Sequence, residues 1–288
     1  MTAAEARERL LNLFPAQAVR SAWSLGNVTK ERAVEQLTRT VSTQDINAFA
    51  FDNFSFTKQH VHLLVPSRRL ASSARLNLIT DEVPIFRREQ GTETLYFHLL
   101  DLRFEAVFLD TLERQYIEFK WPILIVVRPD LLQVKFTTIE RDLRAYFPDA
   151  GRVTFSRRSV DEKAILDIIQ DELLRSDCRV APLDINRGVK ALWAQGYVDS
   201  QDARWKKPRS TANETMDERF FLKRDLPEVY ETLRRAPILK AQFTFMRDQD
   251  QFVSHFVVEA GTGILRFPLY GTRRESTLNV IAKILELN

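Results

Sequence analysis

RQYIEFKWPILIVVRPDLLQVKF, residues 114 to 136, is the stretch whose reading decides the fold. Ile123 to Val127 are five consecutive branched apolar residues, a run that suits a strand buried on both faces. Arg128-Pro129-Asp130 is a turn sequence, so Leu131 to Phe136 is expected to return as a neighbouring strand. Upstream, Tyr116 to Lys120 extends the central strand. Leu102, Phe104, Ala106 and Phe108 alternate with Arg103 and Glu105, as on a strand with one wetter face. Leu95 to Leu100 and Asp81 to Arg88 supply further strands. The connections are too short for parallel crossovers, so antiparallel neighbours are expected.

Before this sheet the chain reads as helical. Leu10, Leu11, Leu13 and Phe14 end at Pro15, and Val19, Ala22, Trp23 and Leu25 form a face that stops at Gly26. Thr29 and Ser42 can each cap a following helix, the first with a stripe of Ala33, Val34, Leu37 and Val41, the second containing Ile46, Phe49 and Ala50. Short helices joined through Gly26-Asn27, with Lys30 and Arg32 just after, resemble nucleic-acid modules of the SAP and Rho N-terminal types; a plain docking bundle is the reading adopted.

After the sheet, Thr137-Thr138-Ile139-Glu140 and Ser159-Val160-Asp161-Glu162 match capping boxes, the first opening a helix that ends before Pro148 and the second a helix to about Arg175. Helices are also expected from Asp184 to Gly196 and from Asp225 to Arg235. Leu239 to Met246, Phe252 to Glu259 and Ile264 to Tyr270 form a meander, closed by a helix over Ser276 to Leu287. The fold class is therefore α+β: a small N-terminal helical bundle, a largely antiparallel sheet body with flanking helices, and a C-terminal meander plus helix. Domains are expected at 1–65 (helical bundle), 66–156 (antiparallel sheet) and 157–288 (α+β).

Composition narrows the function. With 8 glycines and no GxxxxGK[ST] or GxGxxG, the chain offers no glycine-rich phosphate loop. A single cysteine, Cys178, allows no internal disulfide and fits a reducing, cytoplasmic compartment. No stretch reaches the roughly 18 uninterrupted apolar residues of a membrane span, so no membrane partner is expected. The charges nearly balance, 42 Lys and Arg against 39 Asp and Glu, which permits nucleic-acid binding without requiring it.

Signals for catalysis are weak. Glu118-Phe119-Lys120 resembles the acidic-x-lysine strand motif of PD-(D/E)xK nucleases, with Asp110 or Asp101 as the further carboxylate, and that resemblance implies a metal-dependent nuclease. Glu and Lys at alternate positions are equally what a solvated strand face presents. His60-x-His62 has no further ligand nearby in sequence, so neither a metal nor a cofactor is expected.

The basic clusters carry more. Arg204-Trp205-Lys206-Lys207-Pro208-Arg209-Ser210-Thr211 combines cations and hydroxyls for phosphate oxygens with an indole that can stack on a base for about 1 to 3 kcal/mol, in what reads as a loop or the wing of a winged helix. Arg157, Arg158, Arg273 and Arg274 are expected to help on the same surface. The reading is a non-catalytic nucleic-acid-binding protein, DNA or RNA, contacting the phosphate backbone. The alternatives are a protein-protein adaptor docking through residues 1–65 and the nuclease.

Overall fold

The computed structural model describes residues 1–70, 86–139, 143–147, 152–248 and 250–288. The chain opens with α1 (Ala3–Asn12), α2 (Ala16–Ala22), α3 (Lys30–Thr40) and α4 (Thr43–Asp52). Strands β1 (Gln59–Pro66), β2 (Phe86–Gln90), β3 (Glu93–Phe108), β4 (Arg114–Val127), β5 (Leu132–Thr137) and β6 (Val153–Arg157) follow. Next come α5 (Glu162–Arg175), β7 (Val180–Pro182), α6 (Asn186–Ala194), β8 (Val198–Lys206) and β9 (Thr211–Thr215). The last part is α7 (Leu222–Asp225), α8 (Pro227–Arg235), β10 (Ile238–Phe245), β11 (His255–Glu259), β12 (Ile264–Phe267) and α9 (Ser276–Leu287). The class is α+β, with every paired strand antiparallel to its neighbour in the registers described.

The chain divides into two compact units. One comprises Met1–Phe54, Ala71–Val127 and Phe136–Arg179; the other comprises Ser55–Leu70, Arg128–Lys135 and Val180–Asn288.

In the first unit the side chains of Thr29 and Ser42 accept from the backbone N–H of Arg32 and Asp45, which starts α3 and α4 where the sequence places caps. Their apolar faces close on α1. Phe51 at the end of α4 packs on Phe86 and Phe97 of the sheet, with ring centroids 5.6 and 5.5 Å apart. β3 and β4 form one long hairpin, pairing Thr94 with Val127 through to Val107 with Arg114. Each therefore runs unbroken where the sequence suggested two shorter strands. Pro122 sits in the ladder opposite Leu99, on a strand otherwise rich in sheet-forming residues.

In the second unit the strand order is β1, β12, β11, β10, β8, β9, with β7 pairing the last residues of β1, Leu64 to Pro66. One face is the core. Trp205, Ala241, Phe243, Phe256, Val258 and Leu265 point inward against α6, α8 and α9, and Trp193 of α6 lies 5.0 Å from both Tyr230 and Phe243. The buried Asp199 carboxylate accepts from Trp193 Nε1 at 2.9 Å and from the backbone N–H groups of Ser200, Lys223 and Arg224, so its charge is fully bonded. The other face, alternating with the first, is half-exposed and polar, as an antiparallel sheet allows.

Three local expectations change. Gln59–Pro66, at the end of the stretch read as helical, is a strand, because alternating inward Val61 and Leu63 satisfy a sheet period. Arg204 to Lys206 are strand rather than loop, because Ala203 and Trp205 alternate into the core. The helix expected from Thr138 falls partly outside the described residues; Leu143–Tyr146 is a single 3-10 turn.

Candidate nucleic-acid interface

The hairpin of β8 and β9 is built by its alternation. Ala203 and Trp205 face the core, so Arg204 and Lys206 must face solvent, and both are exposed. Trp205 is 4 % exposed and belongs to the core; its ring is not available to stack on a base. Lys207 and Arg209 occupy the turn, which closes with the Lys207 N–H donating to the Ser210 carbonyl at 2.8 Å. The Lys207 ammonium lies 5.9 Å from the Trp205 ring centroid.

Sequence reasoning missed one cation. Lys240 of β10 stands directly opposite Arg204 in the ladder and is exposed on the same face. The alternation of Lys240, Gln242 and Thr244 announces an outward face, but only the register reveals the neighbour. Like charges directly opposite each other on a sheet are destabilising, by roughly 0.2 to 1 kcal/mol on the scale of such pairs. Among the described residues, none of Arg204, Lys206, Lys207, Arg209 or Lys240 has an ion pair. The five form a patch of positive potential with open coordination.

Arg273 and Arg274 do not join it. They follow the C-terminal end of β12, and Arg273 lies 4.0 Å from Asp250 in the connection between β10 and β11. That connection leaves the C-terminal end of β10, whereas the Lys206 N–H bonds the Pro237 carbonyl at its N-terminal end. Over the 8 residues of β10 its two ends are about 25 Å apart along the strand.

Arg157 and Arg158 belong to the first unit and are engaged there. The Arg157 guanidinium lies 4.5 Å from the Trp121 ring centroid and donates to the Val160 carbonyl. Burial pulls its pKa down, opposed by the charges of Asp161 and Glu162. Arg158 donates through Nε and Nη2 to Glu105, whose carboxylate also accepts from the Tyr116 hydroxyl at 3.1 Å. These partners lie over Glu105 and leave it 2 % exposed. The Arg158 hydrogen bond holds the Glu105 carboxyl below the usual carboxylate range and raises Arg158 in turn.

The nuclease-like residues lie on that same sheet face. Glu118 accepts from Arg103 Nε at 2.7 Å, directly across the ladder, and Lys120 pairs with Asp101 at 2.6 Å one step further. Arg103 is the main reason the Glu118 carboxyl titrates low. Asp110 sits in the distant β3–β4 turn and accepts from the Arg152 N–H at 3.3 Å. The carboxylates are thus spent on cations, and Asp110 is seven residues along the strand from the partner of Glu118. His60 and His62 lie on the half-exposed face of β1, in register with Arg266 and Ile264.

Among the described residues no group of three or more His, Cys, Asp or Glu is placed to hold a metal ion. No helix among them is long and apolar enough to cross a membrane. No protein-family model and no curated protein sequence matches the chain.

Proposed function

We propose that this chain binds nucleic acid through the phosphate backbone, without chemistry of its own. The surface is the outer face and the turn of the β8–β9 hairpin, with Arg204 and Lys206 from the strand, Lys207 and Arg209 from the turn, and Lys240 from the adjoining strand. The observation that carries the reading is the register pair Arg204 and Lys240: two exposed cations held opposite each other, neither in an ion pair among the described residues. A row of phosphates relieves that repulsion. The first unit supplies the contrast, because there Arg103 and Lys120 each meet a carboxylate across the ladder and Arg158 meets Glu105. Since Trp205 is in the core, the contact reads charge and not bases, and little sequence preference follows. The reading places the chain in the cytoplasm, where the buried Cys178 thiol stays reduced.

The test is the triple variant Lys206→Ala, Lys207→Ala, Arg209→Ala, titrated against a labelled DNA duplex by fluorescence anisotropy. Binding should weaken, and the slope of log affinity against log salt should shrink by about 2.7, at about 0.9 per lost phosphate contact. Thermal stability should not change, since all three side chains are exposed. Unaltered affinity at low salt removes this hairpin from the function.

A further inference from the structure

At the edge of the second unit, next to but distinct from the cationic face, the sheet ends in a groove. Among the described residues β9 pairs with β8 alone, so its other side is open. The turn fixes which backbone groups are used. Lys207 and Ser210 exchange both N–H bonds, which makes Trp205 with Ala212 and Ala203 with Glu214 the next bonded pairs in an antiparallel ladder. The N–H and C=O groups of Thr211, Asn213 and Thr215 therefore point away from β8, and all three residues are exposed. This is the template onto which another extended chain can add.

Beneath that edge lies a cleft of about 370 Å³ between the hairpin and α8, with Trp205 and Ala212 on one wall and Val229 and Thr232 on the other. Two carboxylates face into it, Glu214 from the inward side of β9 and Glu228 from the first turn of α8, and neither has an ion pair among the described residues; Lys207 also lines the cleft, its ammonium over the Trp205 ring, so the carboxylates outnumber the cations two to one. The Trp205 indole N–H, also lining this cleft, is buried without a hydrogen-bond partner among the described residues. A charge pointing inward at a sheet edge keeps apolar strands away. Here it does more than repel: with a second carboxylate across the cleft it favours a strand whose inward side chain is a cation.

We infer that this edge is a docking site for an extended, basic peptide segment of a partner protein, which adds to β9 as a strand and places a lysine or arginine side chain between Glu214 and Glu228. The site is largely separate from the nucleic-acid surface, because Arg204, Lys206 and Lys240 lie on the opposite face of the sheet; only Lys207 is common to both. The partner segment needs alternation, with the cation on the side turned toward α8 and strand-forming residues such as valine on the other.

The test uses the full chain, labelled with ¹⁵N, and two capped pentapeptides as probes, Thr-Val-Lys-Val-Thr and Thr-Val-Glu-Val-Thr. The lysine peptide should shift the amides of Thr211, Asn213 and Thr215 as an alternating set and bind at least tenfold more tightly than the glutamate peptide. That preference should vanish in the double variant Glu214→Gln, Glu228→Gln, whose stability is checked in parallel. Equal binding of the two peptides, shifts confined to other surfaces, or no shifts at all would overturn the proposal. A failure here leaves the duplex titration untouched, so the two readings are separable.

Discussion

Arg204 and Lys240 face each other across the β8–β10 ladder, 36 positions apart in sequence and adjacent in space. The relationship predicts effects of opposite sign on stability and binding. Lys240→Gln should leave folding stability unchanged or raise it by up to about 1 kcal/mol, because a like-charge pair is relieved. The same change should weaken duplex binding and reduce its salt slope by about 0.9. Urea unfolding and anisotropy on one preparation check both, and a loss of stability with unchanged binding would show that Lys240 is structural.

Trp205 gives a second prediction. A side chain this buried should cost about 3 to 5 kcal/mol when cut to alanine, through lost contacts and a cavity. Trp205→Phe should lower stability less and leave nucleic-acid affinity within about twofold, whereas a base-stacking indole is worth about 1 to 3 kcal/mol of binding. A large affinity loss in a folded Phe variant would return the residue to the interface.

These two residues show what was legible in the sequence. The α+β class, the buried strand at Ile123 to Val127, the Thr29 and Ser42 caps and the C-terminal meander with its last helix follow from local periodicity and capping chemistry, which are carried by neighbours in sequence. The Arg204 to Arg209 cluster was visible as composition. Its geometry was not, since alternation sends Trp205 into the core and only long-range pairing brings Lys240 to Arg204. The same limit hid the partners of Arg158 and Glu118, because Glu105 is 53 positions from Arg158 and Arg103 is 15 from Glu118. It also hid the separation of Arg273 and Arg274 from the hairpin, which depends on strand direction and on no feature of either segment.

His98 should make the first unit acid-sensitive. It is 3 % exposed on β3, opposite Ile123, its Nε2 has no partner among the described residues, and burial pushes its pKa down to about 4. In the unfolded chain the value is about 6.5. The unfolded state therefore takes up a proton first, so this stability is fully present above about pH 6.5, is lost as pH falls, and levels off below about 4. Between pH 7 and pH 5 the loss should be about 2 kcal/mol. Denaturant titrations at both values should show a smaller loss in His98→Leu, and an equal loss in the two proteins would remove His98 as the cause.

Gly188 marks a close approach of α6 to α9. A Cβ there would lie 2.2 Å from the Ile284 carbonyl oxygen, a backbone atom that cannot swing aside. Gly188→Ala should therefore force the helices apart and destabilise by about 1 to 3 kcal/mol, even though alanine is the better helix former. Guanidinium unfolding of the variant checks the sign, and a gain in stability would mean that α9 yields easily.

The most direct test of the central claim is the affinity of the unmodified chain for a DNA duplex at about 50 and about 200 mM salt. Five phosphate contacts from Arg204, Lys206, Lys207, Arg209 and Lys240 predict a log–log slope near −4.5, so a fourfold rise in salt should weaken binding by roughly 500-fold. Absence of binding at the lower salt, or an affinity that salt does not change, would contradict the account.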